Sequence, residues 1–209
     1  MRSHAWSQKW HYWVTALPME TRAVWHFWGK GRQMNRQRDM RLFQLNEKWL
    51  LAEVGVGVTD IGILQRWWEL YPPQTIWNIG ISGALVPDWQ VGEWAVITSV
   101  CNEATQCLRL QPAILPGVRS AMQVTVSEPV LDSSRGKALF QKTGASLVDM
   151  ELFNIVRLSR QLGEVPVSSI RVVSDYADEQ AIAFIQHHLS QLQQSLRQVV
   201  QQLRITLQK

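Results

Sequence analysis

Apolar residues at 152, 155, 156, 158 and 162 repeat with helical spacing, so the pattern predicts a helix that Glu151 opens. Directly downstream the pattern changes. Val165 to Val173 is a run of β-branched and apolar residues, bounded by Gly163 before and Ser174-Asp175 after, which predicts a buried strand. Asp175 then falls just past the carboxyl end of that strand. In open α/β sheets that rim is where ligands bind.

Elsewhere the pattern predicts alternating elements. Tyr12 to Ala16 reads as a short apolar strand, and Thr21 to Trp28 as a helix broken by Gly29 to Gly31. Met40 to Leu45 and Lys48 to Val54 read as a hairpin turning at Asn46-Glu47. The turn Val54-Gly55-Val56-Gly57 leads to a helix that runs to Leu70 and stops at Pro72-Pro73. Asp60 occupies the third glycine position of a dinucleotide fingerprint, which excludes that motif. Thr75 to Ile79, Glu93 to Val100 and Gln123 to Val126 read as strands, and Ser134 to Lys142 as a helix. Cys101 to Ser120 carries no clear period. Apolar residues at 182, 185, 189, 192, 196, 199 and 203 predict one long amphipathic helix from Glu179 onward. Adjacent helix positions point apart, so His187 and His188 are not expected to share a metal. The alternation implies an α/β fold: a single domain over residues 1–209, with a mixed central sheet flanked by helices.

Composition changes this picture little. The chain has 209 residues, 46% hydrophobic, and no apolar run approaches the roughly 18–20 residues of a membrane span. Its first ten residues lack the apolar core of a secretory signal. Cys101 and Cys107 are too few for a disulfide scaffold and lack metal-ligand company, which fits a reducing cytoplasm. Much of the net charge of +4 lies between Lys30 and Arg41. No stacking platform is interleaved there, so a solvated loop before a strand is expected rather than a nucleic-acid surface. Eleven tryptophans exceed what such a chain usually carries, and some are expected at subunit contacts.

Met150-Glu151 before a helix and Ser174-Asp175 after a strand are separated by about two dozen residues. In that order and spacing the pair resembles the purine nucleoside phosphorylase and nucleosidase superfamily. Taken singly, Glu151 is a carboxylate favoured at a helix start and Asp175 a cap or turn residue. Other segments extend the resemblance over most of the chain. Val14 to Glu20 is similar to the family's first strand and the acidic residue after it. Gly55-Val56-Gly57 is similar to its Gly-x-Gly turn, and Asn78 to Leu85 followed by Val91-Gly92-Glu93 to its Gly-rich loop and the segment after it.

The resemblance implies cleavage of an N-glycosidic bond, in which the sugar develops oxocarbenium-like charge and the base needs a proton to leave. It implies Asp175 as the acid that protonates purine N7 and Glu20 as the base that activates water. Glu151 would bind the ribose hydroxyls, Met150 would pack beside the sugar, and Ser174 would position Asp175 or touch the base. Ser82 and Gly83 would bring backbone N–H groups near the sugar. No cofactor and no metal are expected. The partners implied are a small-molecule purine nucleoside and a second copy of the chain in a homodimer, with no nucleic acid and no membrane.

The nucleophile is the branch point. Phosphorylases of the superfamily use an N-terminal Gly-and-Arg phosphate loop and a hydroxyl just after the glycine of the Gly-rich loop. Here Ile81 stands at the second position and Glu20 near the first, with Arg22 the one cation that could rescue phosphate binding. Water is therefore the expected nucleophile, and the methylthioadenosine/S-adenosylhomocysteine nucleosidases are the nearest functional group. Two alternatives stay open: phosphorolysis, for instance of a lipid-linked adenosine, and a catalytically diverged nucleoside-binding homo-oligomer. Val126 to Val130 holds no Phe where nucleosidases set one against the base, and in this it resembles the hopanoid-associated phosphorylases. The chain is also shortened near Asn102 to Gln123.

Overall fold

The computed structural model describes residues 8–58 and 60–207. The reading of the amino terminus falls mostly on residues 1–7, outside that range. The elements are, in chain order, β1 (Trp10–Thr15), α1 (Pro18–Trp28), β2 (Arg32–Gln37), β3 (Met40–Gln44), β4 (Trp49–Glu53), α2 (Ile61–Leu70), β5 (Pro73–Ala84) and β6 (Trp94–Asn102). Then come β7 (Cys107–Arg109), β8 (Arg119–Thr125), α3 (Ser133–Thr143), β9 (Leu147–Asp149), α4 (Leu152–Gln161), β10 (Val167–Asp175), α5 (Ala181–His187) and α6 (Leu189–Leu207). They form a mixed α/β fold around one sheet, as expected from the alternation.

The sheet has two regions. β10 pairs with β6, β6 with β8, β8 with β9, β9 with β5 and β5 again with β10, so five strands close into a ring. From β5 the sheet continues outward through β1, β4, β3 and β2 as an open wing. β5 belongs to both. It is 12 residues long, well beyond the predicted Thr75 to Ile79, and carries the Gly80 to Gly83 segment inside the strand. No Cβ at Gly80 would fit, because it would lie 2.5 Å from Arg171 Nη1 and 2.8 Å from Glu20 Oε1.

Apolar faces hold the helices on. On one side α6 buries Leu192, Leu196, Val199, Val200 and Leu203 against Trp13, Ile79, Ile170 and Val172. Each fully buried aliphatic side chain of this kind contributes about 1.5–3 kcal/mol. On the other, α2 and α4 bury Leu64, Trp67, Trp68, Ile155 and Val156 against Tyr12, Val14, Leu50 and Ala52.

Several readings are corrected. Lys30 to Arg41 is not a plain loop: β2 pairs antiparallel with β3 and forms the sheet's exposed edge. The carboxyl-terminal helix is two helices, α5 and α6, interrupted at His188. Asp175 is the last residue of β10 rather than the residue after it. Cys101 and Cys107, read as fitting a reducing compartment, face each other across β6 and β7 and are joined in a disulfide. Separately, Trp13, Trp67, Trp68 and Trp89 are buried within the chain's own core, and Trp25, Trp28, Trp77 and Trp94, each still partly accessible, pack against a core cluster. Among the described residues no helix is long and apolar enough to cross a membrane.

Candidate active site

The carboxyl ends of β1, β5, β9 and β10 surround a cavity of about 200 Å³. Glu20, Ser82, Gly83, Met150, Glu151, Ser174 and Asp175, the residues singled out in the sequence, all line it. The fold thus brings together side chains spread over more than 150 positions of the chain.

Glu20 arrives on the first turn of α1, directly after β1. Its Oε2 accepts from the backbone N–H groups of Ala16 (2.8 Å) and Leu17 (2.9 Å), and its Oε1 from that of Ile81 (3.0 Å). These bonds tie the helix start to the β5 strand. They favour the carboxylate, as does Arg171, yet burial outweighs them and lifts the Glu20 carboxyl above its usual range.

Glu151 occupies the N-cap position of α4, with its side chain turned to the cavity rather than bonded to the helix's own first turn. Its Oε1 accepts from Gly57 N–H at 2.8 Å, so the Gly55 to Gly57 turn serves the site by presenting backbone. The turn needs glycine, because Gly55 and Gly57 both have positive φ. Burial first, then the neighbouring Asp149 charge, push the Glu151 carboxyl up to about 8. Near neutral pH it therefore mostly keeps its proton.

Asp175 ends β10. Its Oδ1 accepts from Ala177 N–H at 2.8 Å and its Oδ2 from Ser174 Oγ at 2.5 Å. A Cβ at position 83 would lie 2.9 Å from Asp175 Oδ1, so glycine there is what lets the carboxyl approach β5. Facing it, Val126, Pro129, Val130, Leu131 and Ile182 make an aliphatic wall with no aromatic side chain.

Sequence reasoning missed the layer beneath. Asp149 also lines the cavity, and its Oδ2 accepts from Arg171 Nη2 at 2.7 Å. Both residues are buried. Arg171 sits inside the ring, where Nη2 also reaches Asn78 Oδ1 (2.6 Å) and Nε reaches Gln123 Oε1 (3.3 Å). Thr125 Oγ1 bonds Asp149 Oδ1 at 2.6 Å. The signal was present in the sequence: an arginine inside a β-branched strand needs a buried acceptor set. Ser82 Oγ is also committed here, donating to Gln123 Oε1 at 3.0 Å.

A family model described as Phosphorylase superfamily matches residues 113–205. Among solved structures, the chain is similar to the 5′-methylthioadenosine/S-adenosylhomocysteine nucleosidase of Neisseria meningitidis in complex with methylthio-immucillin-A. That match has a TM-score of 0.80 at 19% identity, covering 93% of this chain and 98% of that one. The corresponding Helicobacter pylori nucleosidase, bound to butyl-thio-DADMe-Immucillin-A, gives 0.79 at 16%, covering 97% and 99%. A futalosine hydrolase mutant of Helicobacter pylori gives 0.78 at 16%, covering 94% and 97%. No curated protein sequence matches the chain. The resemblance to the phosphorylase superfamily and the nucleosidase-like fold are thus borne out.

Proposed function

We propose that the chain hydrolyses the N-glycosidic bond of a purine nucleoside, of the methylthioadenosine or S-adenosylhomocysteine type, and releases the free base. The nucleoside lies with its ribose against Glu151 and Met150 and its base against the aliphatic wall. Asp175 gives a proton to purine N7, and the glycosidic electron pair leaves with the base. Glu20 takes a proton from water, whose oxygen bonds to the anomeric carbon. The products are the purine and the free sugar. Ser174 keeps Asp175 aimed, and Ser82 and Gly83 set the strand edge beside the sugar. This reading includes a homodimer paired through the face that bears the cavity, where Val56, Leu131 and Ile182 are exposed.

One observation carries the choice of water: every ionisable side chain lining the cavity is an acid, namely Glu20, Asp149, Glu151 and Asp175. A phosphate dianion would meet these with no lining cation to hold it. Arg22 is exposed and is not among the lining residues. The test is a panel of purine nucleosides incubated with and without phosphate and read by chromatography for free base. Base release that does not depend on phosphate is expected. Release only with phosphate would replace hydrolysis by phosphorolysis, and tight binding without release would make the chain a nucleoside-binding protein.

A further inference from the structure

Inside the ring, one amide joins the cavity wall to the buried cation. Gln123 lies on β8, fully buried. Its Oε1 takes two donors, Ser82 Oγ from β5 at 3.0 Å and Arg171 Nε from β10 at 3.3 Å. Its Nε2 has no partner among the described residues. A buried amide nitrogen left unpaired is costly, so the oxygen's two bonds are what justify a Gln there.

Those bonds also fix the guanidinium. Nε is held by Gln123, and Nη2 by Asn78 and Asp149. Nη1 is thereby turned toward the space that Gly80 leaves open, which Glu20 Oε1 borders as well. The plane of a guanidinium is rigid, so holding Nε sets where Nη1 points.

We infer that Gln123 is a positioning residue: it steers Arg171 Nη1 to the edge of Glu20, where the attacking water is deprotonated. The inference rests on the hydrolase reading above. Arg171 is the cation facing Glu20. Glu151 from the start of α4, whose carboxyl the Glu20 charge helps to raise, Asp149 from β9 and Asp175 from β10 line the same cavity. If Nη1 drifts, Glu20 loses its one favourable charge and its carboxyl holds its proton to higher pH.

The test uses Q123M, which keeps the volume and removes the acceptor, and Q123N, which withdraws the acceptor by one methylene. In Q123M, kcat should fall by about tenfold or more with KM within about twofold, since misaimed groups cost rate more than binding. The acid limb of the kcat/KM profile should move to higher pH, with Q123N between Q123M and the wild type. Should Q123M not fold, Q123N carries the same comparison. A wild-type kcat and acid limb in the variants overturns the inference. So does a lowered melting temperature with kcat per folded molecule and the acid limb unmoved. If the wild-type protein releases no base at all, the hydrolase reading fails instead. Carboxyl 13C titration of Glu20 then decides the steering separately: a midpoint raised in Q123M supports it, and an unmoved midpoint ends it.

Discussion

Where β10, β6, β8, β9 and β5 close into a ring, the interior is filled by Arg171, Asp149, Asn78, Gln123, Ser82 and Thr125, bonded to one another, with the Ser82–Gln123, Arg171–Gln123 and Arg171–Asp149 bonds crossing between strands that are not neighbours. Where the sheet opens into β1, β4, β3 and β2, the filling is apolar, with aliphatic side chains such as Leu42, Leu50 and Leu51 beside a cluster of aromatic rings. Trp13 stacks on Trp49 at 5.5 Å between ring centroids, and Trp28 lies tilted against Trp49 at 4.9 Å. The two regions handle buried polar atoms differently. Among these residues Gln123 Nε2 is the fully inaccessible side-chain nitrogen left without a partner, whereas on the wing side the indole nitrogens of Trp13 and, from α1, Trp25 and Trp28 are left without one. Each such indole N–H costs about 1–3 kcal/mol, offset by the large area its ring removes from water. The wing is built for burial. In the ring the polar atoms are placed, and they end at the cavity where the carboxylates meet.

The largest test of that division lies at the ring's mouth. D175N should lower base release by about 10²–10⁴-fold, the range for losing a general acid, while nucleoside binding persists in calorimetry. Wild-type turnover in D175N would remove Asp175 from the chemistry. E20Q should impair reaction with water to a similar degree, and full hydrolysis without that carboxylate would refute its role as base.

Next comes a matched pair, one change in each region. R171M leaves Asp149 buried without its cation and should cost about 3–5 kcal/mol. W13A empties a stacked site in the wing and should cost about 3–5 kcal/mol as well. Denaturant midpoints should therefore fall together. Turnover per folded molecule should collapse only in R171M. Equal activity losses in both would mean that the ring is a core like any other.

The same division explains what the sequence made legible. The wing and its helices follow hydrophobic period, so β1, β4, α1 and the buried stripe of α6 could be read directly from residues such as Val14, Leu50 and Leu196. Period says nothing about a strand that is polar on both faces, so β2, with Arg32, Gln33, Asn35 and Arg36, carries no strand signal in its sequence. β9 is three residues long and too short for any period. The break at His188 was hidden because apolar positions keep their phase across it. At the site, Glu20, Glu151 and Asp175 sit at the ends of elements, where a carboxylate taken singly reads as a cap or turn residue. It is the order and spacing of their motifs, through the family resemblance, that marks them. Asp149, Arg171 and Gln123 lie within strands: an arginine in a β-branched run signals that a buried acceptor set exists, but only the mutual contacts show that Asp149 and Gln123 supply it.

The smallest effect sharpens the comparison through pH. Burial, with the Asp149 charge behind it, pushes the Glu151 carboxyl from an ordinary value of 4.5 up to about 8. The folded state therefore binds the proton more tightly than the unfolded one. The stability this gives is fully present below about 4.5 and is lost as pH rises toward and through about 8. E151Q carries no such proton. The melting temperature of the wild type, measured relative to E151Q, should therefore decline steadily between pH 5 and pH 9. W13A, made in the wing, should leave that slope in place, since nothing it touches borders Glu151. A flat difference across the window would mean that the Glu151 carboxyl is already charged in the folded chain. The cavity would then hold more negative charge than one guanidinium can balance, and the ring's polar filling would need a second source of compensation.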